Sequence, residues 1–130
     1  MTRILLILLA LLCTGTLSAG HKTAKLQFQS TVFDFGSISA DTEKVVHDYV
    51  FINPANEPVA ILSVSTGCGC ARPEYPVEPI APGASGKITI TYLVKGQAGE
   101  VNRDIKVRYR GATASSSERT TLRFRGVITP

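Results

Sequence analysis

Lys87-Ile88-Thr89-Ile90-Thr91-Tyr92 alternates apolar and polar side chains without a break, so Ile88, Ile90 and Tyr92 fall on one face. A period of two belongs to a strand that buries one side, and a helix would scatter those three residues around its axis. The pattern recurs outward from this stretch. Asn102 to Tyr109 turns Ile105, Val107 and Tyr109 inward, and Thr121 to Ile128 turns Leu122, Phe124 and Ile128 inward with Arg123 and Arg125 outward. Leu26-Gln27-Phe28 and Val32-Phe33-Asp34-Phe35 suggest an early strand pair. Lys44 to Asn53 is a long strand with apolar residues on both faces, and Val59 to Val64 is a shorter, buried run.

Turn chemistry separates these segments. Asn53-Pro54-Ala55-Asn56-Glu57-Pro58, Pro82-Gly83 and Gly96 to Gly99 stand between strands, and Gly111 to Glu118, rich in Ser and Ala, reads as a flexible hairpin tip. Pro73, Pro76, Pro79 and Pro82 recur at the polyproline II repeat, which describes an extended connector and excludes a central strand. With helical periodicity nearly absent, the fold class is all-β: an immunoglobulin-like antiparallel β-sandwich of about seven strands. The antibody disulfide is missing, because no two cysteines stand far enough apart in the chain to bridge two sheets.

Met1 to Gly20 reads as an export signal. Arg3 supplies a positive start, Ile4 to Leu12 an apolar run too short to span a membrane, and Ser18, Ala19 and Gly20 the small residues of a cleavage site. The division is therefore 1–19 signal peptide, 20–27 N-terminal extension and 28–130 sandwich domain, exported to a periplasmic or extracellular location. No later stretch is apolar enough to make the mature chain span a membrane. Lipidation at Cys13 is the alternative, although Leu12 stands where such sites usually take a small residue. Cleavage after Ala19 would expose Gly20-His21, whose amine, amide and imidazole nitrogens suit Cu(II); the plainer reading is a polar terminus that happens to carry a histidine.

Composition bounds the function. The chain has 130 residues with 14 Lys+Arg against 10 Asp+Glu, 44% hydrophobic and 18% charged. Loss of Arg3 with the signal leaves a net charge of about +3, well short of a nucleic-acid-binding balance. One modest core fits, and two do not.

Phe33-Asp34-Phe35-Gly36-Ser37-Ile38, Val46-His47-Asp48-Tyr49-Val50-Phe51-Ile52-Asn53, Gly67-Cys68-Gly69-Cys70, and Ile80-Ala81-Pro82-Gly83 with Ile88-Thr89-Ile90-Thr91-Tyr92 resemble an exported bacterial family, domain of unknown function 1573. That family is similar to the abnormal-spindle and hydin type of immunoglobulin-like domain. The resemblance covers roughly residues 28 to 128. It implies the fold and supplies no catalytic residues. Family members often carry Ser before the first cysteine and Thr after the second; here Gly67 and Ala71 remove those two hydroxyls.

Cys68-Gly69-Cys70 is the one local segment with chemical content. Fully extended Cα atoms two apart lie roughly 7 Å from each other, and Gly69 lets the chain bend to close a bridge. Three readings stand side by side: a local disulfide shaping a turn, a soft-metal or redox-active pair, and free or intermolecularly paired thiols. Redox catalysis would lack the helix N-terminus that usually lowers a thiol pKa. A metal reading adds His47, because the strands that follow it return the cysteines to the end of the sandwich where the His47 strand begins. His47 with two thiols would suit copper or zinc; otherwise it is a half-buried strand histidine.

Charge is unevenly spread, with nine Lys+Arg against three Asp+Glu in 87–125 and four against seven in 20–86. Lys106, Arg108, Arg110, Arg123 and Arg125 would share an outward face if the last two strands pair, forming either a surface for an anionic partner or a solvated row that discourages edge pairing. No Ser-His-Asp, calcium-loop or phosphate-loop pattern occurs. The sequence therefore describes a non-catalytic module without a required cofactor. It would bind a protein or envelope component through the basic stripe or an exposed strand edge, and the thiol or copper handler is the alternative.

Overall fold

A computed structural model describes residues 24–130. The signal peptide, Cys13 and the Gly20-His21 copper site lie outside the described residues. Eight strands and no helix make up the described chain: β1 (Gln27–Phe28), β2 (Val32–Ser39), β3 (Lys44–Ile52), β4 (Val59–Ser65), β5 (Ala71–Glu74), β6 (Ser85–Leu93), β7 (Gly99–Gly111) and β8 (Glu118–Thr129). They form two four-stranded sheets, ordered β1-β3-β6-β5 and β2-β8-β7-β4. The expected immunoglobulin-like sandwich is the fold observed.

The alternating segments build the core. Tyr49, Phe51, Ile88, Ile90 and Tyr92 from one sheet meet Ile105, Val107, Tyr109, Leu122 and Phe124 from the other, each no more than 1% exposed. Burying a side chain of this size stabilises a fold by roughly 1.5–3 kcal/mol, so these ten carry much of the driving force. The two-faced segment Lys44 to Ile52 is resolved by its partner: Val45, His47, Tyr49 and Phe51 turn inward, and β6 pairs with it residue for residue from Lys44↔Leu93 to Ile52↔Ser85.

The turn after β3 is held by Asn53, the one buried polar residue among the described residues. Its amide nitrogen donates to the carbonyls of Glu57 and Ile80, both at 2.9 Å, and its Oδ1 accepts the Ala55 N–H at 3.0 Å. A buried amide bonded on both its atoms contributes stability; one left unpaired would cost about 1–3 kcal/mol.

Four expectations need correction. The early segments are both strands, yet they do not pair: β1 joins β3, whereas β2 crosses to the other sheet and runs parallel to β8. The sandwich is therefore not wholly antiparallel. The start of the proline connector is a strand: β5 takes in Pro73 and pairs antiparallel with β6, and it is an edge, not a central strand, as the prolines required. The tip between β7 and β8 is tethered rather than free. The Glu57 carboxylate accepts both the Thr113 N–H at 2.9 Å and the Thr113 hydroxyl, tying the tip to the β3–β4 turn.

Candidate functional site

The cysteine loop follows from the end of β4. Thr66 directs its hydroxyl at two carbonyls of the turn, Cys68 and Ala71, each 2.9 Å away. Gly67 sits at φ 68°, a left-handed conformation that glycine adopts without steric cost. The turn brings the Cys68 and Cys70 Cα atoms to 5.3 Å, and the two are joined by a disulfide.

His47 does not join them. As topology demanded, the cysteines return to the end of the sheet where β3 begins, and the Leu93 N–H donates to the Cys70 carbonyl at 2.7 Å. However, β6 lies between β3 and β5, and the imidazole points inward from β3. It stacks on Phe33 with centroids 3.7 Å apart and planes 12° from parallel, and meets Tyr49 edge-on at 4.6 Å. Burial among these rings pushes its pKa below the usual 6.5, against the pull of neighbouring Asp48. Among the described residues, no three His, Cys, Asp or Glu side chains come together as a metal site. The three-ligand copper or zinc arrangement of His47, Cys68 and Cys70 is thus not formed.

The basic stripe is real but divided. Lys106, Arg108 and Arg110 on β7 and Arg123 and Arg125 on β8 all face outward on the β2-β8-β7-β4 sheet. Arg123 Nε lies 2.7 Å from Asp104 and Arg125 Nε lies 3.3 Å from Asp34. The Arg123 hydrogen bond holds the Asp104 carboxyl below its ordinary range and raises Arg123 in turn. Lys106, Arg108 and Arg110 have no ion-pair partner among the described residues. Arg119, which sequence reasoning passed over, stands directly across from Arg108. Outward parity on β8 was the signal that marked it.

The remaining feature is an edge. Beyond β1, which covers only Phe51 and Ile52, no described strand pairs with the outer side of β3. The Gln29 N–H donates to the Val50 carbonyl on that side at 3.0 Å. Strand alternation therefore points the N–H and C=O groups of Lys44, Val46 and Asp48 the same way. Val46 is 51% exposed, and Asp48 beside it accepts the Thr89 hydroxyl at 2.6 Å and pairs with Lys87 at 3.5 Å. The other edges are blunted. β2 bulges between Asp34 and Ser37, β4 between Ile61 and Ser63, β5 contains Pro73, and β1 has two residues. The Lys44–Asp48 stretch is in unbroken register with β6 and has neither bulge nor proline.

These features belong to a fold class with known relatives. Residues 26–128 match the family described as Protein of unknown function (DUF1573), and the chain belongs to that family. No curated protein matches the chain. Similar solved structures include the Vibrio cholerae VesB protease, 13% identical with a TM-score of 0.63 over 82% of this chain and 32% of that one. The ASH/PapD-like domain 7 of human CEP192 is 13% identical, with a TM-score of 0.63 over 82% of this chain and 87% of that domain. The YadV chaperone is 15% identical, with a TM-score of 0.59 over 81% and 52%. This chain spans about a third of the protease and about half of the chaperone. At such identities the likeness establishes the fold alone, an immunoglobulin-like sandwich.

Proposed function

We propose that this protein is an exported, non-catalytic binding module that holds an extended segment of a partner protein as an added strand on β3. The observation that carries the reading is the open, regular Lys44–Asp48 edge, in a molecule whose other edges are shortened, bulged or broken by proline. An extended peptide there gains main-chain hydrogen bonds from Lys44, Val46 and Asp48, and alternate side chains then meet the Val46 surface. Fold likeness to a PapD-like domain and to a chaperone supports a protein-binding role. The part of the outward basic face without ion pairs, Lys106, Arg108 and Arg110, is the second contact surface, toward an anionic envelope component.

The test is a benzophenone amino acid placed at Val46 in the protein made by its own host, with the same probe at exposed Val77, away from both contact surfaces, as control. Strand addition predicts adducts from Val46 that map to one extended segment of one protein and are absent from Val77. Identical adducts from both positions, or none from Val46, would contradict it.

A further inference from the structure

The uncompensated part of the basic face is a built hollow. Across the sheet, Ser63 on β4 pairs with Arg108 on β7, which pairs with Arg119 on β8; one row along, Ser65 pairs with Lys106. These five side chains, with the Val107 backbone strand beneath, line a shallow depression of about 210 Å³. Two guanidinium groups directly opposite each other on neighbouring strands repel, and an ammonium in the next row adds to the cost. Further along the same sheet, each arginine meets a carboxylate: Asp104 on β7 for Arg123 and Asp34 on β2 for Arg125. At Arg108 and Arg119 the sequence supplies hydroxyls instead, while Lys106 lies within the field of Asp104, which Arg123 already pairs.

We propose that this hollow binds a tetrahedral phosphate dianion, either inorganic phosphate or the phosphate of a monoester. Two planar guanidinium forks present paired N–H donors that match phosphate oxygens, Lys106 adds a point charge, and Ser63 and Ser65 contribute hydroxyl donors. A dianion seated between Arg108 and Arg119 relieves their mutual repulsion, which a carboxylate monoanion does less completely. The depression is shallow and open, so it holds one such group and leaves whatever is attached to it in solvent. The site rests on the anionic-partner reading of this face and, lying on the opposite sheet from the β3 edge, is independent of strand addition.

Isothermal titration and amide NMR of the purified protein, with inorganic phosphate and separately with glycerol 3-phosphate, test the assignment. Saturable binding of at least one is expected, with shifts confined to β4, β7 and β8 around the hollow, and the stronger ligand identifies the source. Arg108→Gln/Arg119→Gln removes two exposed cations and is expected to weaken binding at least about tenfold. Arg123→Gln/Arg125→Gln removes the same charge from the compensated end and is expected to change it less than about twofold. Thermal midpoints of both variants establish that each is folded. No saturable binding by the parent protein, or equal weakening in the two variants, overturns the proposal, since the second result describes diffuse attraction to a positive face.

Discussion

His47 lies face to face with Phe33 across the open side of the sandwich, its ring 3.7 Å from the phenyl ring and its edge toward Tyr49. β2 belongs to the second sheet and β3 to the first, so the stack joins the two sheets. Burial favours the neutral imidazole and lowers its pKa from 6.5. In the unfolded chain His47 therefore takes a proton at higher pH than in the fold. Its contribution to stability is complete above 6.5 and is lost as pH falls through the lower folded value. The depressed carboxyls of Asp48, Glu57 and Asp104 act in a separate window, below their ordinary values of 3.8 and 4.5. Urea unfolding midpoints should thus fall between about pH 7.5 and about pH 5 in the parent, and much less in His47→Phe. An unchanged slope in that variant would remove His47 as the cause.

Two core tyrosines should respond oppositely to loss of the hydroxyl. The Tyr49 hydroxyl crosses between sheets to donate to the Arg123 carbonyl at 2.8 Å, and burial pushes the phenol pKa well above its usual value. Tyr92 Oη is buried with no hydrogen-bond partner among the described residues. Tyr49→Phe should cost about 1 kcal/mol, whereas Tyr92→Phe should be neutral or stabilising. Chemical denaturation of both variants decides it, and the reverse order would show the cross-sheet bond to be absent.

Gly86 is fixed by its neighbour. A Cβ there would stand 2.7 Å from the Phe51 ring, in the middle of a register pair. Gly86→Ala should destabilise by about 1–3 kcal/mol, and trimming the ring in Gly86→Ala/Phe51→Leu should recover part of that loss.

The Cys68–Cys70 bridge closes a loop of three residues, for which chain entropy provides only about 1.6 kcal/mol. Thr66, with its hydroxyl on both the Cys68 and Ala71 carbonyls, holds the same turn. Cys68→Ala/Cys70→Ala should therefore remain folded with a loss no larger than that figure. A collapse of the fold in the double variant would show that the bridge carries more than the turn.

The sandwich was legible because its central strands bury one face and so alternate strictly. Ile88, Ile90 and Tyr92, Ile105, Val107 and Tyr109, and Leu122, Phe124 and Ile128 all point where their spacing placed them. β1 and β2 misled because pairing between sheets is decided at long range. Nothing local to Phe28 or Val32 says that one joins β3 and the other runs parallel to β8. The basic stripe was visible by parity, and the same parity, had it been followed, would have added Asp104 on β7 and Arg119 on β8. Asp34, the partner of Arg125, was hidden by the same crossing of β2. The open edge of β3 was invisible for a related reason, since an edge is defined by the strand that is missing beside it.

The account rests most on that edge, and amide hydrogen exchange reads it directly. The measurement is made on the protein alone and with a synthetic peptide of the segment captured at Val46. The alternate arrangement predicts that Lys44, Val46 and Asp48 exchange freely in the protein alone, while Val45, His47 and Tyr49, bonded to β6, are protected. Adding the peptide should protect the first three and leave the second three as they were. Protection of Lys44, Val46 and Asp48 without peptide, or protection gained only on β2 or β4, would contradict strand addition at β3.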